Sequence, residues 1–238
     1  MTSHASKPPL VFYRTGPMPC PYLAGNVERN LFTELRGVQA QEQHETLTRA
    51  GFRRSHHIVY RPACPGCTGC VPVRIVAKEF RPTRSERRIL RRNTDLSATL
   101  LEPVATDEHY AVFAAYQRER HGDGEMAAMT FSDFRAMVED TAVDTQLVEF
   151  RNSDGELIAG CLVDRISDAF SAVYSYYDPR NSDRSLGNFM ILWLVETAAS
   201  VGLDYVYLGY WIEDCEKMAY KTRYRPIELM GDTGWQTL

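Results

Sequence analysis

A chain of 238 residues with 44% apolar and 24% charged side chains can bury an ordinary core in one large or two small domains, which excludes a disordered, fibrous or staple-dependent protein. Its longest apolar run, 189–195, falls far short of the ~20 residues a membrane helix needs, and three of its six cysteines crowd into seven residues; neither a membrane span nor a secreted disulfide framework is expected, and the expected location is cytoplasmic. The net charge of −4 hides an asymmetry: residues 74–92 hold eight Lys or Arg against two acids, whereas 106–168 hold fourteen acids against five bases, which predicts an anion-binding face on an acidic body.

Residues 1–9 are polar and end in two prolines, and they are predicted to form a mobile tail. The text from 10 to 35 is irregular, with Pro17, Pro19 and Pro21 bracketing Cys20. A polar surface helix is predicted over 39–50, closed by Gly51. After the cysteine cluster, 71–80 alternates apolar and polar residues as a strand with one buried face, which places Arg74 opposite the core. Thr83 followed by Glu86 is a capping box, so a helix should begin at Arg84. On it Arg84, Arg87, Arg88, Arg91 and Arg92 fall within an arc of about 140°.

A domain boundary is placed near residue 97, dividing an N-terminal Cys- and Arg-rich domain over 10–97 from a second domain over 98–238. The second part is expected to run as strand 98–104, helices 106–121 and 131–140, strands 146–150, 156–165 and 169–177, an almost wholly apolar helix 185–201, strand 204–210, a short helix around 213–221 and strand 226–230. That order resembles an N-acetyltransferase-like (GNAT-like) fold of the α+β class, a mixed sheet flanked by helices.

Several groups of residues can carry chemistry. In Cys64-Pro-Gly-Cys67-Thr-Gly-Cys70 the glycines let the backbone curl so that thiolates converge, and Cys20 is the expected fourth ligand of a zinc or iron-sulfur site, with His56 or His57 as substitutes. Cys161 and Cys215 are isolated and expected in the core. Five guanidinium groups on one stripe repel one another until an anion chain covers them, which suits nucleic acid. At Arg184-Ser185-Leu186-Gly187-Asn188-Phe189, the place of a coenzyme A pyrophosphate cradle, the ring of Phe189 stands where a small residue is needed. Asp178 ends a central strand, and Tyr220 lies where a tyrosine general acid is often kept. Lys217, Lys221 and Arg223 add positive charge for a carboxylate or phosphate.

The combination of Cys20-Pro-Tyr, Cys64-Pro-x-Cys67-x-x-Cys70-x-Pro-x-Arg74, Phe80-x-Pro-x-Arg84-Ser85-x-x-Arg88, Tyr177-Asp178-Pro179, Ser185-Leu186-Gly187 and Lys217-Met218-x-Tyr220-Lys221 resembles the aminoacyl-tRNA-protein transferases of the N-degron pathway. The compact length and the run Cys20-Pro-Tyr-Leu-x-Gly-x-x-Glu-Arg are most similar to the bacterial aspartate/glutamate leucyltransferase branch. The resemblance implies transfer of leucine from Leu-tRNA to the N-terminal amine of proteins beginning with Asp or Glu, with arginine as the alternative cargo and a coenzyme A-dependent acetyltransferase as a further alternative. It implies tRNA on Arg74, Arg84, Arg87, Arg88, Arg91 and Arg92, a carboxylate on Lys217, Lys221 or Arg223, and Asp178 and Tyr220 at the reaction centre. No cofactor is needed for the transfer itself.

Overall fold

The computed structural model describes residues 10–122 and 124–238, so the tail expected over 1–9 lies outside the described residues. In chain order the elements are β1 (Tyr13–Arg14), β2 (Met18–Pro19), β3 (Val27–Glu28), β4 (Asn30–Glu34), α1 (Ala40–Arg49), β5 (Arg53–Ser55), β6 (Ile58–Pro62), β7 (Val71–Val76) and α2 (Arg84–Arg92). They continue as β8 (Ser97–Leu101), α3 (Asp107–His121), α4 (Phe131–Glu139), β9 (Thr145–Arg151), β10 (Leu157–Ile166), β11 (Ala169–Tyr177), α5 (Leu186–Ser200), β12 (Tyr205–Trp211), α6 (Glu216–Ala219), β13 (Ile227–Gly231) and β14 (Gly234–Thr237).

An eight-stranded sheet runs β14-β13-β7-β12-β11-β10-β9-β8. Every neighbouring pair is antiparallel except β11 and β12, which are parallel because α5 crosses over between them. Alternation along the strands divides the core between the two faces. Val148, Cys161 and Val163 pack with α5 residues such as Met190 and Leu194, while Leu147, Leu162 and Tyr176 pack with Phe113 of α3 and Phe134 of α4. The sheet is thus a mixed one covered by helices, in keeping with the α+β, GNAT-like expectation.

The expected boundary near residue 97 does not coincide with a division between sheets. Strand β7 sits inside the large sheet, pairing β12 on one side and β13 on the other. This position buries both of its faces rather than one, and Arg74 is only 8% exposed. A smaller antiparallel sheet, β1-β4-β6-β5, is built from the stretch around residues 13–62. It docks through Arg54, whose Nε and Nη2 each donate at 2.6 Å to the fully buried Asp164 carboxylate on β10. Helix α1 belongs to this seam and is not a purely surface element: His44 is fully buried with Nε2 3.4 Å from Asp164, and Leu47 joins Leu35 and Val59 in a local core. Among the described residues no helix is long and apolar enough to cross a membrane.

Candidate active site and nucleic-acid interface

The two parallel strands stay paired only from Ala169–Ser171 against Tyr205–Tyr207 and then separate. Both are irregular just past that point. Pairing of β11 with β10 shifts register at Leu162/Val163, and pairing of β12 with β7 shifts between Tyr207 and Tyr210, where Gly209 takes φ +71°. The opening holds a cavity of about 400 Å³. Its buried lining joins the apolar Cys161, Met190, Leu194 and Leu208 to the buried Lys221, and its aromatic walls come from Tyr116, Tyr174 and Tyr220. Arg53, His121, Lys217 and Lys221 also line it, and among the described residues no Asp or Glu contributes.

These polar groups are held differently. Lys221 is 4% exposed and its Nζ donates to the carbonyl of Tyr210 at 2.5 Å. Burial, with the charge of Arg53 adding to it, lowers its pKa to about 7. Burial also raises the Tyr220 hydroxyl above its ordinary value, so it remains a proton donor across the physiological range. The His121 imidazole is lowered by burial and by Lys217 and Arg120. Lys217 is exposed at the mouth.

Helix α2 starts as the sequence predicts. The Glu86 carboxylate accepts the Thr83 N–H at 2.6 Å and the Thr83 hydroxyl accepts the Glu86 N–H at 3.4 Å. Ile89 and Leu90 pack against the main core on α5, and all five arginines are exposed. They do not act as one uniform stripe. Arg84, Arg88 and Arg91, with Thr83 and Ser85, line an open groove of about 610 Å³. Arg87 instead donates to the Pro82 carbonyl at 2.5 Å, and Arg92 to the Asp183 carbonyl. Among the described residues none of the five arginines forms an ion pair, and the first turn of the helix adds its own positive end to the same groove. Helix α5 carries α2 on one side and lines the cavity with Met190, Ile191 and Leu194, so groove and cavity share one support.

Other expected site residues are placed elsewhere. Arg74 does not join the arginine groove: its guanidinium pairs with Glu228 at 2.7 Å, donates to the Tyr207 hydroxyl at 2.9 Å and stacks 3.6 Å over the Tyr205 ring and 4.4 Å over Trp235. Asp178 is 6% exposed and outside the cavity lining; its carboxylate accepts from the Arg180 backbone N–H, the Arg180 guanidinium and Asn181, which hold the 179–184 turn. Arg223 is exposed and outside the lining, whereas Lys217 and Lys221 are in it. Phe189 does not obstruct the start of α5: it is 5% exposed and stacks edge-on against Phe150 at 5.5 Å. That turn is covered instead by the end of α2, where the buried Asn93 bonds the Arg184 carbonyl and Arg184 pairs with Asp95.

The four cysteines lie in one region. Cys70 is pushed up to about 12 by burial and then by Cys20, Cys64 and Cys67. Cys20 Sγ accepts the Leu23 N–H at 3.4 Å and Cys64 Sγ accepts the Arg29 N–H at 3.4 Å. Among the described residues no three His, Cys, Asp or Glu side chains are arranged to hold a metal ion, and no step is assigned to one. Cys161 and Cys215 are buried, as expected. Nothing local in the sequence marks Arg53, Tyr116 or His121, and Tyr22 is marked there only as part of the Cys20-Pro-Tyr motif; the fold brings all four to the cavity.

The splayed mixed sheet, a cavity lined by cations with no carboxylate among the described residues, and an arginine groove on the helix that packs against α5 are the features of a transferase, whose class the relatives set. Residues 18–88 match the family model described as Arginine-tRNA-protein transferase, N terminus, and residues 108–231 match its C terminus counterpart. The aspartate/glutamate leucyltransferase of Paramagnetospirillum magneticum is 54% identical over 97% of this chain and 94% of that one, and its counterpart in Rhodospirillum rubrum is 51% identical over 95% and 93%. Among solved structures, FemX aligns over 87% of this chain and 81% of that one at 11% identity, with a TM-score of 0.46. The chain belongs to the aminoacyl-tRNA-protein transferase family, in the branch of the bacterial aspartate/glutamate leucyltransferases.

Proposed function

We propose that this protein transfers leucine from Leu-tRNA to the α-amine of proteins whose first residue is Asp or Glu, a modification that marks them for the N-degron pathway. The observation that carries this reading is the cavity itself: it has an apolar wall of Met190, Leu194 and Leu208, it is lined by Arg53, Lys217 and Lys221 with no carboxylate among the described residues, and α5, which lines it, also carries α2 with the groove of Arg84, Arg88 and Arg91. The apolar wall suits a leucyl side chain, whereas an arginyl cargo would bring a guanidinium among cations with no acid among the described lining residues to receive it. The reading also places the protein where aminoacyl-tRNA is made, in the cytoplasm.

The arginine groove would hold phosphates of the acceptor stem and so direct the esterified 3′ end towards the cavity. The acceptor amine loses its proton, attacks the ester carbonyl, and forms the C–N bond as the C–O bond to the terminal ribose breaks. Lys221, with a pKa near 7, would take the ammonium proton, and Tyr220 would give its proton to the departing ribose oxygen and receive in turn the second proton that the attacking nitrogen sheds. An α-amine has a pKa of about 7.7–8.0, so a sizeable fraction is already free base. The ester is already activated, and holding the two reactants in attack geometry can supply roughly 7–11 kcal/mol. No resident metal or cofactor is required.

The test is a transfer assay with labelled Leu-tRNA and labelled Arg-tRNA on an Asp-initiated peptide, run in EDTA without added metal. Leucine incorporation without arginine incorporation is expected. Incorporation from Arg-tRNA alone would reverse the assignment.

A further inference from the structure

Three cations line the cavity, and the structure separates their roles. Lys221 spends a hydrogen bond on the Tyr210 carbonyl and is deeply buried, and Lys217 is a flexible exposed side chain at the mouth. Arg53 is different. It comes from β5 of the small sheet, the strand whose next residue, Arg54, faces the opposite way and locks onto Asp164. The strand is therefore pinned at its neighbour, and Arg53 is delivered half-buried into the space between β11 and β12.

The two strands are shaped to receive it. Arg53 Nη2 donates at 2.8 Å to the carbonyl of Val173, the residue at the register shift of β11. A Cβ on Gly209 would stand 3.2 Å from both Cδ and Nη1 of Arg53, so the glycine at the β12 irregularity leaves the stem and head of this arginine their room. Among the described residues no carboxylate pairs with Arg53, although the chain forms ion pairs at many other arginines. A fixed, half-desolvated guanidinium with unused donors facing a cavity is suited to a planar anion held by two parallel hydrogen bonds.

We propose that Arg53 recognises the side-chain carboxylate of the acceptor's first residue, and so sets the preference for Asp and Glu. The proposal rests on the leucyl-transfer reading above and adds the residue that selects the acceptor. It is a specificity residue: one carboxylate oxygen pair meets its free N–H groups while the α-amine of the same residue lies towards Lys221 and the ester. Replacing the carboxylate by an amide leaves a buried charge without its partner, which the site should reject strongly.

The experiment compares Asp- and Asn-initiated peptides, otherwise identical, with Leu-tRNA as donor, in wild-type, Arg53→Met, Arg53→Lys and Gly209→Ala proteins, with Leu-tRNA binding measured in parallel. Wild type is expected to favour Asp over Asn in kcat/KM by on the order of 1000-fold. In Arg53→Met the Asp value should fall on the order of 100-fold while Asn changes little, so the preference shrinks to about tenfold at unchanged tRNA affinity. Arg53→Lys keeps the charge at a different reach and should give an intermediate preference, and Gly209→Ala should lower the preference by displacing the guanidinium. Equal losses on Asp and Asn in the folded variants, or a preference retained in all of them, would overturn the assignment. Wild-type protein that moves no leucine onto either peptide would instead overturn the leucyl-transfer reading together with it.

Discussion

The groove on α2 makes a quantitative claim about salt. Arg84, Arg88 and Arg91 are exposed, lie on one groove and have no ion-pair partner among the described residues, so each is free to neutralise one phosphate. If the partner is a duplex acceptor stem, each such contact contributes about 0.9 to the slope of log K against log salt concentration. Replacing all three by alanine should therefore make the slope shallower by about 2.7. Over a fourfold rise in salt, from about 50 to 200 mM, that difference amounts to roughly 1.6 decades, so wild type should lose about 40-fold more affinity than the triple variant. The assay is filter binding or anisotropy with Leu-tRNA across that range, with thermal unfolding as a check that α2 still docks through Ile89 and Leu90. An unchanged slope in a folded triple variant would refute phosphate binding at this groove.

Arg74 provides the contrasting case, because the same residue type sits here in a buried pair. Arg74→Met leaves Glu228 uncompensated and should cost about 3–5 kcal/mol, seen as a fall in the thermal midpoint, while the salt slope of tRNA binding stays as in wild type. Lys221 should be visible in the pH profile. If Lys221 takes the ammonium proton, wild type must enter the reaction with Lys221 neutral and the amine protonated, so log kcat/KM should rise with slope one to about pH 7, run level to about pH 8 and fall above it; in Lys221→Met the amine must arrive as free base, so the profile should rise with slope one to about pH 8 and then level off. Identical limbs would exclude the proton-transfer role. The same group couples to stability with a defined sign: its folded pKa lies below its ordinary value, so its burial penalty is full below pH 7 and fades as pH rises towards 10.5. Any stabilisation gained in Lys221→Met should accordingly be largest in the acidic range.

Local signals account for what was legible in the sequence. The start of α2 is written in Thr83 and Glu86, and α3 and α4 are likewise capped by Thr106 and Thr130. Strand β11 matches its expected bounds of 169–177, and the apolar α5 could pack nowhere but against the sheet. What escaped depends on distant partners. The stretch 10–35 reads as irregular because β1 and β4 are stabilised by pairing with each other and with β6 rather than by their own pattern. The polar face of α1 looked solvated, yet it packs His44 against an ion pair supplied by residues 54 and 164. Alternation in the sequence puts Arg74 on the surface of a two-sided strand, and only the docking of β13 and β14, with Trp235, covers its second face. The position of Asp178 before Pro179 suits a turn as well as a reaction centre, and the turn takes up its carboxylate. Arg53 had no signal at all.

The placement of β7 constrains how this protein comes into being. A strand made early in synthesis is clasped between β12 and β13, which leave the ribosome more than a hundred residues later. Until then Val71–Val76 has no edge to join, and the helix that follows it cannot settle on α5. The nascent N-terminal third must therefore wait with apolar backbone unpaired, a state that invites chaperone capture or mispairing with other chains. For the same reason a cut between the two halves would not yield two separate modules, since each half completes the hydrogen-bonded edge of the other.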